Sequence, residues 1–362
     1  MSNELNYKNL IAFHPGSYVV DIIDDLNITQ KEFANRLGTT EKSLSKLING
    51  EDNLSKEMAY KLSKLTGISI NTWMNLQNEY DKKILEIDNE RSNDEQEVCK
   101  LIDFKYFKDN GYVKNKRFNQ NEKIEKLRSI LKIANLTYLL EFNAEVSYRN
   151  TKEFDEKSII NSNVMLEIAS NIARNKSDNR LDKEKLKSYL PEIRKMTNQN
   201  PTKFYPKLEE MLLECGIILV ALPNLRNASI NGATKKFKNG SVMLLITDKN
   251  KNSDIFWFSI IHEISHILDS DFYSNYKDED SYKEKELKAN KFASNFFIDE
   301  DLYKDFVEKE DYTKEAIVQF SESLAIHPSI LLGRLQKDDK VNYSYLYELK
   351  TKYLVNKNYR NK

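Results

Sequence analysis

The stretch that most constrains this chain runs from Phe256 to Leu268, reading Phe-Trp-Phe-Ser-Ile-Ile-His-Glu-Ile-Ser-His-Ile-Leu. Its apolar positions recur at helical spacing, and on a helix residues four apart stand one above the other on the same face. His262 and His266 can therefore aim two imidazoles at one point, with Glu263 beside them. Two histidines at i and i+4 can hold a metal ion, and the adjacent glutamate can act as a general base. The chain has four histidines, His14, His262, His266 and His327, so the pattern does not arise from abundance. The plain alternative is a pair of helix histidines in ordinary hydrogen bonds. The scarcity of histidine, the aromatic run before the pair and the strand-like segments upstream count against it.

A catalytic metal needs a third protein ligand and an open position. Residues 283–298 read as a second helix, with Ala289, Phe292, Ala293 and Phe296 on its inner stripe. Glu286 shares that stripe, whereas Glu284 is turned about 200° away and faces solvent. The expected ligand set is His262, His266 and Glu286, with Glu263 as catalytic base. Zinc is the expected ion, and manganese or iron suits the same donors. Upstream, Ile217–Leu222, Ser229–Phe237 and Ser241–Thr247 read as three strands, with Asn239-Gly240 as a turn. The edge of such a sheet can bind an extended peptide. Equally, the sheet can do no more than cover the helix.

Residues 1–90 read as five helices, four of them short and the fifth longer, from Ile70 to about Ile87. Thr29, Thr40 and Ser55 are placed as N-caps, and Gly38, Gly50 and Gly67 as stops. Glu32, three after Thr29, completes a capping-box pattern. Two short helices around Gly38 form a helix-turn-helix, whose second helix would lie in the major groove. Gln30, Thr39, Thr40, Lys42, Ser43, Ser45, Lys46 and Asn49 are the candidate DNA contacts. A small helical bundle that binds protein is the alternative. Over residues 31–64, Lys and Arg outnumber acids by only two, so one domain should bind weakly and a dimer is needed.

The chain as a whole balances 56 Lys+Arg against 56 Asp+Glu, so bulk charge does not announce nucleic acid. The two cysteines, Cys99 and Cys215, give no disulfide framework. No apolar run approaches the roughly 18 residues of a membrane span. A soluble cytoplasmic protein without a membrane partner is expected. The fold class read from these patterns is mainly α. It comprises a five-helix helix-turn-helix domain (1–90), a helical linker or scaffold (91–200), an α+β zincin-like core with a small sheet (201–300) and C-terminal helices (301–362). Within the last part, Tyr343–Lys362 reads as a basic helix.

The run Gln30…Phe33-Ala34…Leu37-Gly38…Leu44-Ser45…Ile48-Asn49-Gly50 resembles the Xre-type helix-turn-helix. His14-Pro15-Gly16 and Trp73-Met74-Asn75-Leu76-Gln77 extend the likeness to the HigA-type antitoxins. That resemblance implies a homodimer on an inverted-repeat operator and a cognate toxin as partner. His262-Glu263-Ile264-Ser265-His266 followed by Glu286-x-x-Ala289-Asn290-x-Phe292-Ala293 resembles the ImmA/IrrE metallo-endopeptidases. This implies a zinc-dependent cleavage of a regulatory protein, in a toxin–antitoxin or phage-defence operon. The competing reading is a DNA-binding antitoxin whose peptidase-like domain senses a signal or binds a toxin without proteolysis. Ser265 and Asp299 depart from the family pattern, where Gly and Pro are common. His327 is a candidate oxyanion donor or, alternatively, a structural residue opening a helix. Asp269 is a candidate to orient a ligand imidazole.

Overall fold

A computed structural model of the chain describes residues 4–140, 147–148, 155–272 and 279–355, and they divide into two compact units after Gln96. In the first unit the helices begin where the sequence supplies a group for their open N–H ends. These are α1 (Pro15–Asp25), α2 (Gln30–Leu37), α3 (Glu41–Ile48), α4 (Lys56–Thr66) and α5 (Ile70–Leu101). Thr29, Thr40 and Ser55 each accept the N–H three residues on. Only half of the expected capping box forms, because the Glu32 carboxylate turns to Arg36 instead. Gly38 ends α2 at φ 68°, a left-handed conformation that a Cβ disfavours. Phe33, Leu37, Leu44, Leu47, Leu62 and Trp73 form the core between these helices.

Two features of this unit differ from the sequence reading. A hairpin of β1 (Glu4–Tyr7) and β2 (Leu10–Phe13) precedes α1, with Glu4 opposite Phe13. Four-residue strands carry too short an alternation to be seen among helical signals. Helix α5 also runs past Ile87 to Leu101, so the very polar stretch after it, readable as a helix end or a linker, is helix. Lys100–Glu97 and Arg91–Asp88 pairs lie along it, and Tyr7 and Lys8 of the hairpin reach Asp94 at 2.6 and 2.8 Å.

The second unit is built on a sheet of order β3-β5-β6-β4, from β3 (Ser147–Tyr148), β4 (Ile217–Leu222), β5 (Gly232–Lys236) and β6 (Val242–Thr247). β4 and β6 run parallel, and the other pairs are antiparallel. One face meets α6 (Phe104–Asp109), α7 (Gln120–Leu131) and α8 (Glu156–Ala173) through Ile218, Val220, Met243 and Leu245. The other face turns Leu219, Val242, Leu244 and Ile246 toward α9 (Lys183–Lys195), α10 (Pro201–Glu214) and α11 (Ser253–Asp269). That layer is completed by α12 (Glu279–Phe297), α13 (Glu300–Glu308), α14 (Lys314–Ser323) and α15 (Pro328–Lys337).

Much of the stretch read as a helical linker or scaffold is thus one whole layer over the sheet. Helix α8 is buried on nearly every side, including its polar residues. Asn161 donates to the Leu101 carbonyl, Asn163 to that of Leu139, and Ser158 bonds Ser229. The segment from Leu136 is a 3-10 turn to Leu140, and 141–143 lie outside the described residues. The second strand is shorter than Ser229–Phe237. Near the end, the expected basic helix is replaced by a 3-10 turn at Tyr347–Leu349 and an extended strap. Tyr353 donates its N–H to Lys251, and Ser253 donates to Thr351. Lys357, Arg360 and Lys362 lie outside the described residues. Cys99 and Cys215 are buried free thiols. No helix among the described residues is long and apolar enough to cross a membrane.

Candidate metal centre and DNA-binding helices

Helix α11 crosses beneath the sheet and is almost wholly buried from Ser253 to Ile267. Its apolar residues face the core on several sides, so the polar residues among them must converge on a common purpose. His262 is fully buried and His266 nearly so. Their Nε2 atoms lie 3.1 Å apart. Helix α12 packs along α11 through Ala289 and Ala293, whose small side chains permit close approach. This brings Glu286 over the pair: its two carboxylate oxygens lie 3.2 Å from His262 Nε2 and 3.2 Å from His266 Nε2. Glu284, one turn edge away, is exposed.

The donors fit a small divalent cation. Ligand atoms about 2.0–2.1 Å from a tetrahedral zinc stand roughly 3.3 Å from one another. The 3.1 Å between the two imidazole nitrogens is close to that edge length, and each nitrogen has one oxygen of Glu286 at 3.2 Å. Two imidazole nitrogens and a carboxylate are also the donor chemistry such ions take. Burial alone would push the Glu286 carboxyl up, but the hydrogen bonds from His262 and His266 overcome it and hold it down at about 2. The group is therefore an anion at neutral pH.

Glu263, also fully buried, lies against β5. A Cβ on Gly232 would fall 2.8 Å from Glu263 Cγ and 2.9 Å from its Oε1. Glycine at this strand end is what lets the carboxylate lie there, and the sequence signal for it was a lone glycine within a strand pattern. Two arginines also escaped the sequence reading. Arg194 donates to the carbonyls of Phe296 and Phe297, and Arg334 to that of Ile298, so both satisfy the open C-terminal end of the helix bearing Glu286.

The other two histidines are structural. His14 Nδ1 accepts the Gly16 N–H, and His327 Nδ1 accepts that of Ser329, each capping a helix that begins with proline. Asp269 pairs with Lys288 at 3.1 Å.

In the first unit, none of the eight candidate DNA contacts is buried, although several groups are engaged locally. Thr40 caps α3, Asn49 donates to Ser45, and Lys46 stands 3.6 Å from Asp52. Gln30 opens α2; Thr39 lies in the turn; Lys42 and Ser43 lie on α3.

Residues 21–73 match the Helix-turn-helix family and residues 225–328 the IrrE N-terminal-like domain, a peptidase family. Over 64 residues the chain is 39% identical to the uncharacterized HTH-type transcriptional regulator YddM of Escherichia coli, covering 18% of this chain and 68% of that one. Over 69 residues it is 41% identical to virulence-associated protein A′ of Dichelobacter nodosus, covering 19% of this chain and 60% of that one. A solved structure of a candidate antidote protein of a plasmid maintenance system from Nostoc punctiforme matches at 30% identity and a TM-score of 0.22, over 23% of this chain and 91% of that one.

Proposed function

We propose, for a chain that belongs through its N-terminal unit to the helix-turn-helix transcriptional regulators, that its second unit is a zinc-dependent endopeptidase acting on a regulatory protein. The observation that carries this reading is the buried convergence of His262, His266 and Glu286 beside Glu263, under a sheet. His262, His266 and Glu286 would hold the ion, and what the ion supplies when bound is Lewis-acid polarisation of a carbonyl. Glu263 takes a proton from the attacking water and returns it to the leaving amine. Gly232 keeps space for that carboxylate, while the apolar walls around α11 exclude bulk water from it.

The first unit delivers this chemistry to DNA. On this reading Gln30, Thr39, Thr40, Lys42, Ser43, Ser45, Lys46 and Asn49 face an inverted-repeat operator, and a homodimer supplies the second half-site. The setting is a toxin–antitoxin or phage-defence operon, supported by the HigA-like residues of the N-terminal unit.

The test compares the zinc-loaded chain with Glu263→Gln on a proteome-derived peptide library, read by mass spectrometry of new N-termini. The expected result is a set of cleavages lost in Glu263→Gln while equimolar metal remains bound. General-base removal should lower the rate about 10²–10⁴-fold. Identical peptide profiles for the two proteins would overturn the peptidase reading and leave a non-proteolytic sensing or toxin-binding module.

A further inference from the structure

At the far end of the sheet, β4 is an edge strand, paired among the described residues with β6 alone. Gly216 and Leu222 turn their carbonyls inward to Val242 and Asp248 of the β6 side. Alternation along the strand therefore turns the main-chain N–H and C=O of Leu219 and Ala221 outward. Among the described residues nothing bonds them there. Leu219 is nevertheless 2% exposed, and buried main-chain groups are normally paired.

These two residues line a cavity of ≈ 910 Å³ within the second unit. The strap Thr351–Val355 also lines it, paired antiparallel to residues 251–253. A buried ion pair between Lys350 and Asp254, at 2.9 Å, pins the strap. The floor is aromatic: Phe204, Phe256 and Tyr353 stand 5.3 to 5.8 Å apart, ring to ring. Of the charged residues that line it beside Glu209, Lys176, Lys251 and Lys352 have no carboxylate partner among the described residues. The Asp248 carboxylate is engaged by the Asn224 and Val355 N–H groups.

We propose that this cavity binds an extended segment of a partner protein as an added strand on β4. Two outward residues at i and i+2 offer donors and acceptors at the repeat of a β-strand, which a compact small molecule does not match. The aromatic floor takes apolar side chains in alternation, and the three lysines call for acidic residues at the flank. Phe256 and Ser259 of α11 line the cavity, so the bound strand lies on the helix that carries His262 one turn later. The site thus serves as an input to the helix that carries His262. Binding itself does not depend on the peptidase reading, so the two can fail separately.

A displayed library of random heptapeptides is panned on the full chain carrying Glu263→Gln, which removes cleavage. The selected consensus is synthesised and titrated. The expected peptide alternates apolar residues with an acidic flank, and its binding slows hydrogen exchange at the Leu219 and Ala221 amides. Ala221→Pro removes an outward N–H, a position where proline suits an edge strand, and should weaken binding about tenfold. Lys251→Glu with Lys352→Glu, both exposed, should weaken it comparably and decides the matter if Ala221→Pro does not fold. A library that yields no consensus, or a consensus whose affinity both variants leave unchanged, overturns the proposal.

Discussion

Gly232 and Glu263 meet at the scale of single atoms, and the prediction there is sharp. Gly232→Ala places a methyl within 3 Å of the Glu263 carboxylate, which must move aside. A displacement of about 1 Å in a reacting group can cost 10²-fold in rate. Cleavage by Gly232→Ala should fall by that order, while metal content, measured by elemental analysis, stays at the wild-type level. The convergence of His262, His266 and Glu286 was readable in the sequence because helix geometry fixes i, i+4 and the stripe shared with Ala289 and Ala293. Gly232 was legible only as a lone glycine within a strand pattern, because the group it makes room for lies thirty-one positions away.

At the scale of elements, two helices share one device. His14 opens α1 and His327 opens α15, each followed by proline and each accepting a backbone N–H through Nδ1. That acceptor exists only while the ring nitrogen is unprotonated. Burial lowers the pKa of both below 6.5, against the opposing pull of Asp81 on His14 and Asp254 on His327. A lowered histidine pKa means that the unfolded chain binds the proton first. Stability is thus whole above about pH 6.5 and falls as pH drops through that value toward the folded pKa values. His14→Asn keeps a cap without the titration, so its melting temperature should depend less on pH between 7 and 5 than wild type. An equal dependence would remove this account. The end of α12 offers a second test. Arg194→Met leaves the Phe296 and Phe297 carbonyls without their donor, and should cost about 2 kcal/mol, several degrees in melting temperature.

Elements also show where local reading ran out. The β4 strand fell at Ile217–Leu222 as expected, since a short apolar run bounded by Gly216 has few other uses. The strand at Ser229 did not extend so far, and β3 and the N-terminal hairpin are too short to show an alternation. The burial of helix α8 is not legible in its own residues. Its asparagines and serines look solvent-facing until partners sixty to seventy residues away are known, as for Asn161 with Leu101 and Ser158 with Ser229.

For the whole molecule, the two compact units should respond separately. A metal that binds only the folded second unit stabilises it by about 4 kcal/mol at a thousandfold excess over its dissociation constant. Chelation should therefore lower one calorimetric transition and leave the other, from the helix-turn-helix unit, in place. Loss in both, or in neither, would contradict the placement of the metal in the second unit. DNA binding gives the complementary test. Lys46→Ala and Ser43→Ala should each weaken binding to a selected operator, and Lys46→Ala should also flatten the salt dependence by about one unit of slope if it meets a phosphate. Unchanged affinity for both would move the recognition surface off α3.

The strap at Thr351–Val355 has a consequence in time. It is among the last described parts of the second unit to be synthesised, yet it pairs with residues 251–253 at the start of the metal helix. The first unit is complete at Gln96, with its own apolar core. At about 5–20 residues per second, the roughly 260 residues between these points occupy a ribosome for about 13–50 s. Through that interval the nascent chain presents a finished DNA-binding unit ahead of an unclosed metal helix. Chains stalled or released before residue 350 would then carry the helix-turn-helix unit without the second unit's completed architecture, and would compete with the full-length protein for DNA.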